Sequence, residues 1–198
     1  MRSTIVGLAA ATMLFAVGAQ AYPGMEKQAE RQVQSSVDLI SVLPKPFPIE
    51  AVAFKDSEGS SVDFSQYKGK VIMVNMWATW CPPCVRELPA ISRFSAKIGS
   101  DDFEVLPVSI DLEGNKQVEP FLKSLGMEDF NTYYDKEQKL GNVFPLDTIP
   151  ATFILNREGE LIAFVRTFVD WDDDKAVTLI KGFLAEPQQS NQVTKNAD

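Results

Sequence analysis

The stretch KVIMVNMW, residues 70–77, runs directly into ATWCPPC, residues 78–84. Residues 70–77 form a nearly continuous apolar run rich in β-formers, which predicts a strand buried on both faces at the centre of a sheet. After Cys81, Pro82, Pro83 and Cys84, apolar side chains recur at Val85, Leu88, Ile91, Phe94 and Ile98 with helical spacing, and Gly99 ends the run. The two cysteines therefore sit at a strand-to-helix junction. Proline is acceptable in the first turn of a helix, where its missing N–H costs nothing. Cys81 at the helix start meets unpaired N–H groups and the positive end of the macrodipole, which stabilise a thiolate. This makes Cys81 the nucleophile and Cys84, one turn inward, the resolving thiol.

Two cysteines are all the chain has, and it has no histidine. A disulfide across so short a loop constrains the unfolded chain little, so it suits being made and broken rather than stapling a fold. A closed zinc site needs four cysteine or histidine ligands, and serine or cysteine hydrolase chemistry needs a histidine base. Dithiol redox exchange remains, with no cofactor beyond the Cys81–Cys84 pair.

Outward from the motif, residues 103–110 read as a second strand, with Pro107 implying an edge position or a bulge. Residues 118–125 read as a helix with Pro120 in its first turn, 132–134 as a short strand and 137–142 as a short helix. Residues 151–156 and 160–165 are apolar runs joined by Arg157-Glu158-Gly159, a hairpin signal. Residues 172–185 form the last helix, and a hairpin near 51–64 precedes the central strand. The expected fold is α/β, a central mixed sheet flanked by helices.

Met1 and Arg2, the apolar run 5–17 and Ala19-Gln20-Ala21 have the layout of a secretory signal peptide cleaved after Ala21, which implies a periplasmic protein, or a membrane-anchored one if the signal is retained. Residues 22–46 are expected to be an arm helix (26–43) and a proline-marked linker, 47–186 one domain, and 187–198 a disordered polar tail. The net charge of −8 argues against nucleic acid and anionic membrane surfaces as partners.

WATWCPPCVRELP, residues 77–89, followed by TIPATF, residues 148–153, resembles the thioredoxin superfamily, specifically the exported TlpA/ResA/DsbE-like thiol:disulfide oxidoreductases, over roughly residues 47–184. The resemblance implies a thioredoxin-like fold with an N-terminal hairpin and a short helical insertion. It implies that the first cysteine attacks, the second resolves, and Pro150 is a cis-proline beside them. It further implies reduction of disulfides in exported proteins, apocytochrome c among them, with electrons from a membrane reductase of the DsbD or CcdA type. A cis peptide at Pro150 would offer the backbone of Ile149 to a client strand by β-type pairing, so that Ile149 tunes substrate preference.

Glu87 has two readings. It is either an ordinary exposed acid near a helix start, or, by resemblance, the active-site glutamate that assists proton movement at the cysteines. Thioredoxins in general carry a buried aspartate where this chain has Asn75, which takes no proton. Trp77 is expected in the core, and Trp80, with Pro82 and Pro83, in an apolar wall around the sulfurs. The acids Asp170 and Asp172 to Asp174 are expected to cap the last helix. A peroxiredoxin would need proline and serine or threonine at positions 74 and 78, which are Val74 and Ala78. The remaining alternatives are an oxidase that donates its disulfide and a redox-inactive chaperone for exported clients.

Overall fold

The computed structural model describes residues 35–186. Eight strands form one mixed sheet: β1 (Ser41–Phe47), β2 (Phe54–Lys55), β3 (Ser61–Val62), β4 (Val71–Trp77), β5 (Phe103–Ser109), β6 (Tyr133–Tyr134), β7 (Ala151–Leu155) and β8 (Leu161–Val165), in the order β1-β8-β7-β4-β5-β6-β2-β3. Three helices, α1 (Pro82–Ile98), α2 (Asn115–Ser124) and α3 (Asp174–Ala185), complete it.

All seven residues of β4 are buried, as the apolar run requires. It pairs parallel with β5 and antiparallel with β7, so it is covered along both edges as well as both faces. Alternation along the strand divides its side chains between two cores. Ile72, Val74 and Met76 join Leu106, Val108, Leu122 and Phe153 on one side. Val71 and Met73 join Ile91, Phe94, Trp171 and Ile180, from α1, α3 and the loop before α3, on the other. Asn75 is in phase with Val71 and Met73 and so points to the α1 side, a polar residue in an apolar row.

α1 begins at Cys81 as its cap and ends at Gly99, whose φ of 55° is the left-handed conformation that closes many helices. The hairpin β7–β8, the hairpin β2–β3 and the Asp173 cap of α3, which accepts from the Lys175 N–H, follow the sequence reading. Of the other acids, Asp172 pairs with Arg93 on α1 instead of capping.

Four expectations are corrected. β5 is interior, not an edge strand. Pro107 is tolerated because its backbone faces β6, and β6 pairs only with Val108 and Ser109; the Pro107 carbonyl accepts instead from the Thr132 hydroxyl at 3.0 Å. The arm helix does not reach Leu43: Ser36–Leu39 is a single 3₁₀ turn and the supposed linker is β1, an edge strand beside β8, where Pro44 and Pro46 lose no essential ladder bond. The sheet therefore begins at Ser41, earlier than the expected domain start at 47. α2 starts at Asn115, three residues early, which moves the exposed Pro120 into its second turn. Gly114 makes that early start possible: its φ is 59°, and a Cβ there would come within 2.8 Å of the Lys136 side chain. The short helix of the insertion is a 3₁₀ turn, Lys139–Asn142, and it starts only after Gln138, whose φ of 53° cannot carry a right-handed helix through from Glu137. The signal peptide, residues 26–34 of the arm and the tail 187–198 lie outside the described residues.

Candidate active site

β4 ends at Trp77, and the chain crosses Ala78 to Trp80 before α1 starts at Pro82. This crossing is fixed by Asp111, just past the end of β5. Its carboxylate, itself buried, accepts from the Thr79 N–H (3.0 Å), the Thr79 hydroxyl (2.7 Å), the Ser109 hydroxyl (2.8 Å) and Gln117 Nε2 (2.9 Å). Sequence reasoning missed Asp111. The signal available was a lone acid directly following an apolar strand, next to the element that carries the cysteines.

Cys81 and Cys84 form a disulfide, with Cα atoms 5.3 Å apart. Cys84 is fully buried and Cys81 is nearly so, but Cys81 lines an open cleft of about 560 Å³. The Cys81 sulfur acts as the helix cap and accepts the Cys84 backbone N–H at 3.3 Å. A negative charge on that sulfur would be held by this N–H and by the helix dipole.

Trp80, Pro82, Pro83 and Ile149 line the same cleft, so five of the expected site residues converge on one surface. Trp80 is 61 % exposed, an apolar rim rather than a lid over the sulfurs. The Ile149–Pro150 peptide is cis, with Pro150 buried. Gln138 and Gly141 of the helical insertion line the cleft as well, with Ile110. Gln138 anchors there by donating from Nε2 to the Ile110 carbonyl.

Glu87 is not an exposed residue of the first turn. It is 1 % exposed, on the buried face of α1 beneath Cys84. Its Oε1 accepts the Val169 N–H at 2.6 Å, and Asn75 Nδ2 approaches Oε2 at 3.5 Å while donating to Thr152 Oγ1 at 3.0 Å. Burial disfavours the charged carboxylate and pushes its pKa up to about 7, against the opposing pull of these N–H donors. A group that titrates near neutrality one helical turn from a reactive thiol is equipped to take and return a proton.

A model of the Redoxin family matches residues 44–179. The chain belongs to the Redoxin family. Within the thioredoxin superfamily it groups with the TlpA/ResA/DsbE-like proteins, and it has the thioredoxin-like fold. The thiol-disulfide oxidoreductase ResA of Bacillus subtilis is 30% identical over 111 residues, which is 56% of this chain and 61% of ResA. The chain thus spans about three fifths of the curated relatives it matches first. The crystal structure of StoA from Bacillus subtilis is 27% identical with a TM-score of 0.56, covering 67% of this chain and 99% of StoA. A secreted thiol-disulfide isomerase from Corynebacterium glutamicum shares the fold at 20% identity, with a TM-score of 0.61, covering 72% of this chain and 90% of that one.

Proposed function

We propose that this Redoxin-family protein is a thiol:disulfide oxidoreductase that reduces disulfides in exported proteins. The observation that carries the reading is the Cys81–Cys84 pair at a helix start, with the Cys81 sulfur on a peptide-sized cleft and capped by a backbone N–H. In the reduced protein the Cys81 thiolate attacks one sulfur of a client disulfide. A Cys81–client mixed disulfide forms and the client's other sulfur leaves as a thiolate that takes a proton. The Cys84 thiol gives its proton to the Glu87 carboxylate and attacks the Cys81 sulfur. The Cys81–Cys84 disulfide forms, the second client sulfur leaves, and two electrons have passed to the client. Ile149, beside the cleft, presents its backbone to the client strand, and Trp80, Pro82 and Pro83 supply apolar contact.

Export is supported by the arrangement of residues 1–21, and c-type apocytochromes are the first class of client on resemblance to ResA-like proteins. A membrane reductase of the DsbD or CcdA type would return Cys81 and Cys84 to the dithiol. A glutathione redox titration tests the direction of transfer. A potential near thioredoxin's, about −270 mV, is expected, whereas one near about −120 mV would make the protein a disulfide donor. Failure of the reduced protein to reduce insulin, together with suppression of client aggregation that survives loss of Cys81, would favour a redox-inactive chaperone.

A further inference from the structure

The enclosure around Glu87 contains two buried polar side-chain atoms without a partner, Asn75 Oδ1 and Trp171 Nε1. One can only accept a hydrogen bond and the other can only donate one. Buried polar atoms are nearly always satisfied, and the exceptions call for an explanation. Here both atoms adjoin a group that changes between acceptor and donor. Ionised, Glu87 accepts only; protonated, it carries one O–H.

The surroundings contain little else that could respond to that change. β4 and β7 contribute Asn75 and Thr152, neither of them ionisable. On α1 the neighbours are Cys84, tied to Cys81, and Arg86, whose guanidinium lies over the Phe168 ring at 5.9 Å from its centroid. In the loop before α3, Asp170 is exposed and turned to the Asp172 N–H. Among the described residues, no charged side chain acts on the carboxyl. Desolvation opposes its charge, and N–H groups of Val169, Asn75 and Trp171 favour it. The Trp171 indole forms no completed hydrogen bond, but it is fully buried and faces the same carboxyl.

We infer that Asn75, Thr152 and Trp171 are positioning residues that exchange hydrogen bonds with Glu87 as it gains and loses its proton. When Glu87 is ionised, the Trp171 indole and the Asn75 amide N–H donate to the carboxylate, and Asn75 also donates to Thr152 Oγ1. When Glu87 is protonated, the Asn75 carboxamide turns over. Its oxygen then accepts the acid proton, and Thr152, a hydroxyl able to work either way, reverses from acceptor to donor. The network lets a buried acid hold a proton or a charge without losing its partners in either state. This inference rests on Glu87 as the proton carrier proposed above. It also gives Asn75 a use where thioredoxins in general carry an acid: it takes no proton itself but serves both states of the acid on the adjoining helix.

The test follows the Glu87 carboxyl carbon, the Trp171 indole N–H and the Asn75 amide N–H by NMR through neutral pH, in the labelled, full-length, oxidised protein. Both N–H signals are expected to move with the midpoint of the carboxyl carbon, and to stay flat in Glu87→Gln. Trp171→Phe removes a donor to the charged form and is expected to raise the Glu87 midpoint by about one pH unit, a tenfold shift in proton affinity. Flat N–H signals while Glu87 titrates would overturn the inference, and this holds even if Trp171→Phe does not fold. An unmoved midpoint in a folded Trp171→Phe would overturn the indole's part. Because these spectra involve no turnover, the proton-carrier reading fails separately, through an unchanged pH profile of client reduction in Glu87→Gln.

Discussion

Asp111 holds both hydrogen-bond donors of Thr79, the backbone N–H at 3.0 Å and the hydroxyl at 2.7 Å, and so ties the end of β5 to the loop that leads into Cys81. The same carboxylate satisfies the buried Ser109 hydroxyl and Gln117. Asp111→Ala would take this acceptor from the Thr79 N–H and from the Thr79 and Ser109 hydroxyls, while Gln117 Nε2 keeps Thr79 Oγ1 as an acceptor at 2.8 Å. Hydrogen bonds to a charged group contribute about 1.5–3 kcal/mol, and the network shares its loss, so a destabilisation of about 3 kcal/mol is expected in urea unfolding. Client reduction is expected to fall more than stability alone explains, because Trp80 and Cys81 follow directly on the freed segment. A cost below about 0.5 kcal/mol, within the range of ordinary surface substitutions, would show that the loop holds its shape without Asp111.

Glu87 makes folding stability depend on pH in the direction opposite to an ion-paired acid. The unfolded carboxyl ionises near about 4.3. The folded one does so at about 7. Between these values the folded chain binds more protons than the unfolded one, so this contribution to stability is present at low pH, declines as pH rises through the window, and is fully lost above about 7. At about 1.4 kcal/mol per pH unit the difference amounts to roughly 4 kcal/mol. Glu87→Gln keeps an acceptor for Val169 but cannot titrate, so its stability is expected to lack this slope. Parallel pH–stability curves for the two proteins would place the Glu87 pKa in the ordinary range.

Trp80 is expected to matter for clients and not for folding. Its ring is mostly exposed at the rim of the cleft, so Trp80→Ala is expected to alter stability by no more than about 0.5 kcal/mol. Loss of an aromatic anchor beside the reacting sulfur is expected to raise KM for a disulfide-containing peptide about tenfold, equivalent to about 1.4 kcal/mol. Reduction of glutathione disulfide, too small to reach along the rim, is the control and is expected to change little. Equal losses for both substrates would assign Trp80 to the chemistry of Cys81 rather than to client binding.

The residues that were legible beforehand are those with a local signature. The apolar run 70–77, the cysteine spacing, Gly99 and the hairpin at Arg157-Glu158-Gly159 each announce an element through short-range chemistry, and the structure follows them. Pro107 and the prolines of β1 misled, because a proline reports only that one N–H is missing; whether that matters depends on a neighbouring strand far away in sequence. Glu87 could be placed on α1 but not assigned to a face of it. Its burial follows from Val169, which lies 82 positions along the chain, and from Asn75 on β4. Asp111, Thr152 and Trp171 share that difficulty: each is defined by partners that only the folded sheet brings together.

The Cys81 thiol is expected to ionise below the free-thiol value of about 8.5, since the Cys84 N–H and the start of α1 both stabilise the thiolate. Thiolate absorbance of the reduced protein, titrated against pH, measures this. A midpoint at or above the free value would mean that burial outweighs the helix start.

The asymmetry between the two cysteines gives the most direct test of mechanism. Cys81 opens onto the cleft and Cys84 does not, so a client sulfur can reach only the first. Once the mixed disulfide forms through Cys81, the thiol placed to resolve it is Cys84, one helical turn away. Removing Cys84 blocks resolution but leaves attack intact. Cys84→Ala, expressed in its own compartment, is therefore expected to accumulate adducts on non-reducing gels that collapse with dithiothreitol, whereas Cys81→Ala accumulates almost none. Mass spectrometry of the adducts would identify the clients and show whether c-type apocytochromes are among them. Equal trapping by the two variants, or none by either, would remove Cys81 as the nucleophile. The cleft would then have to bind clients without electron transfer, as a chaperone does.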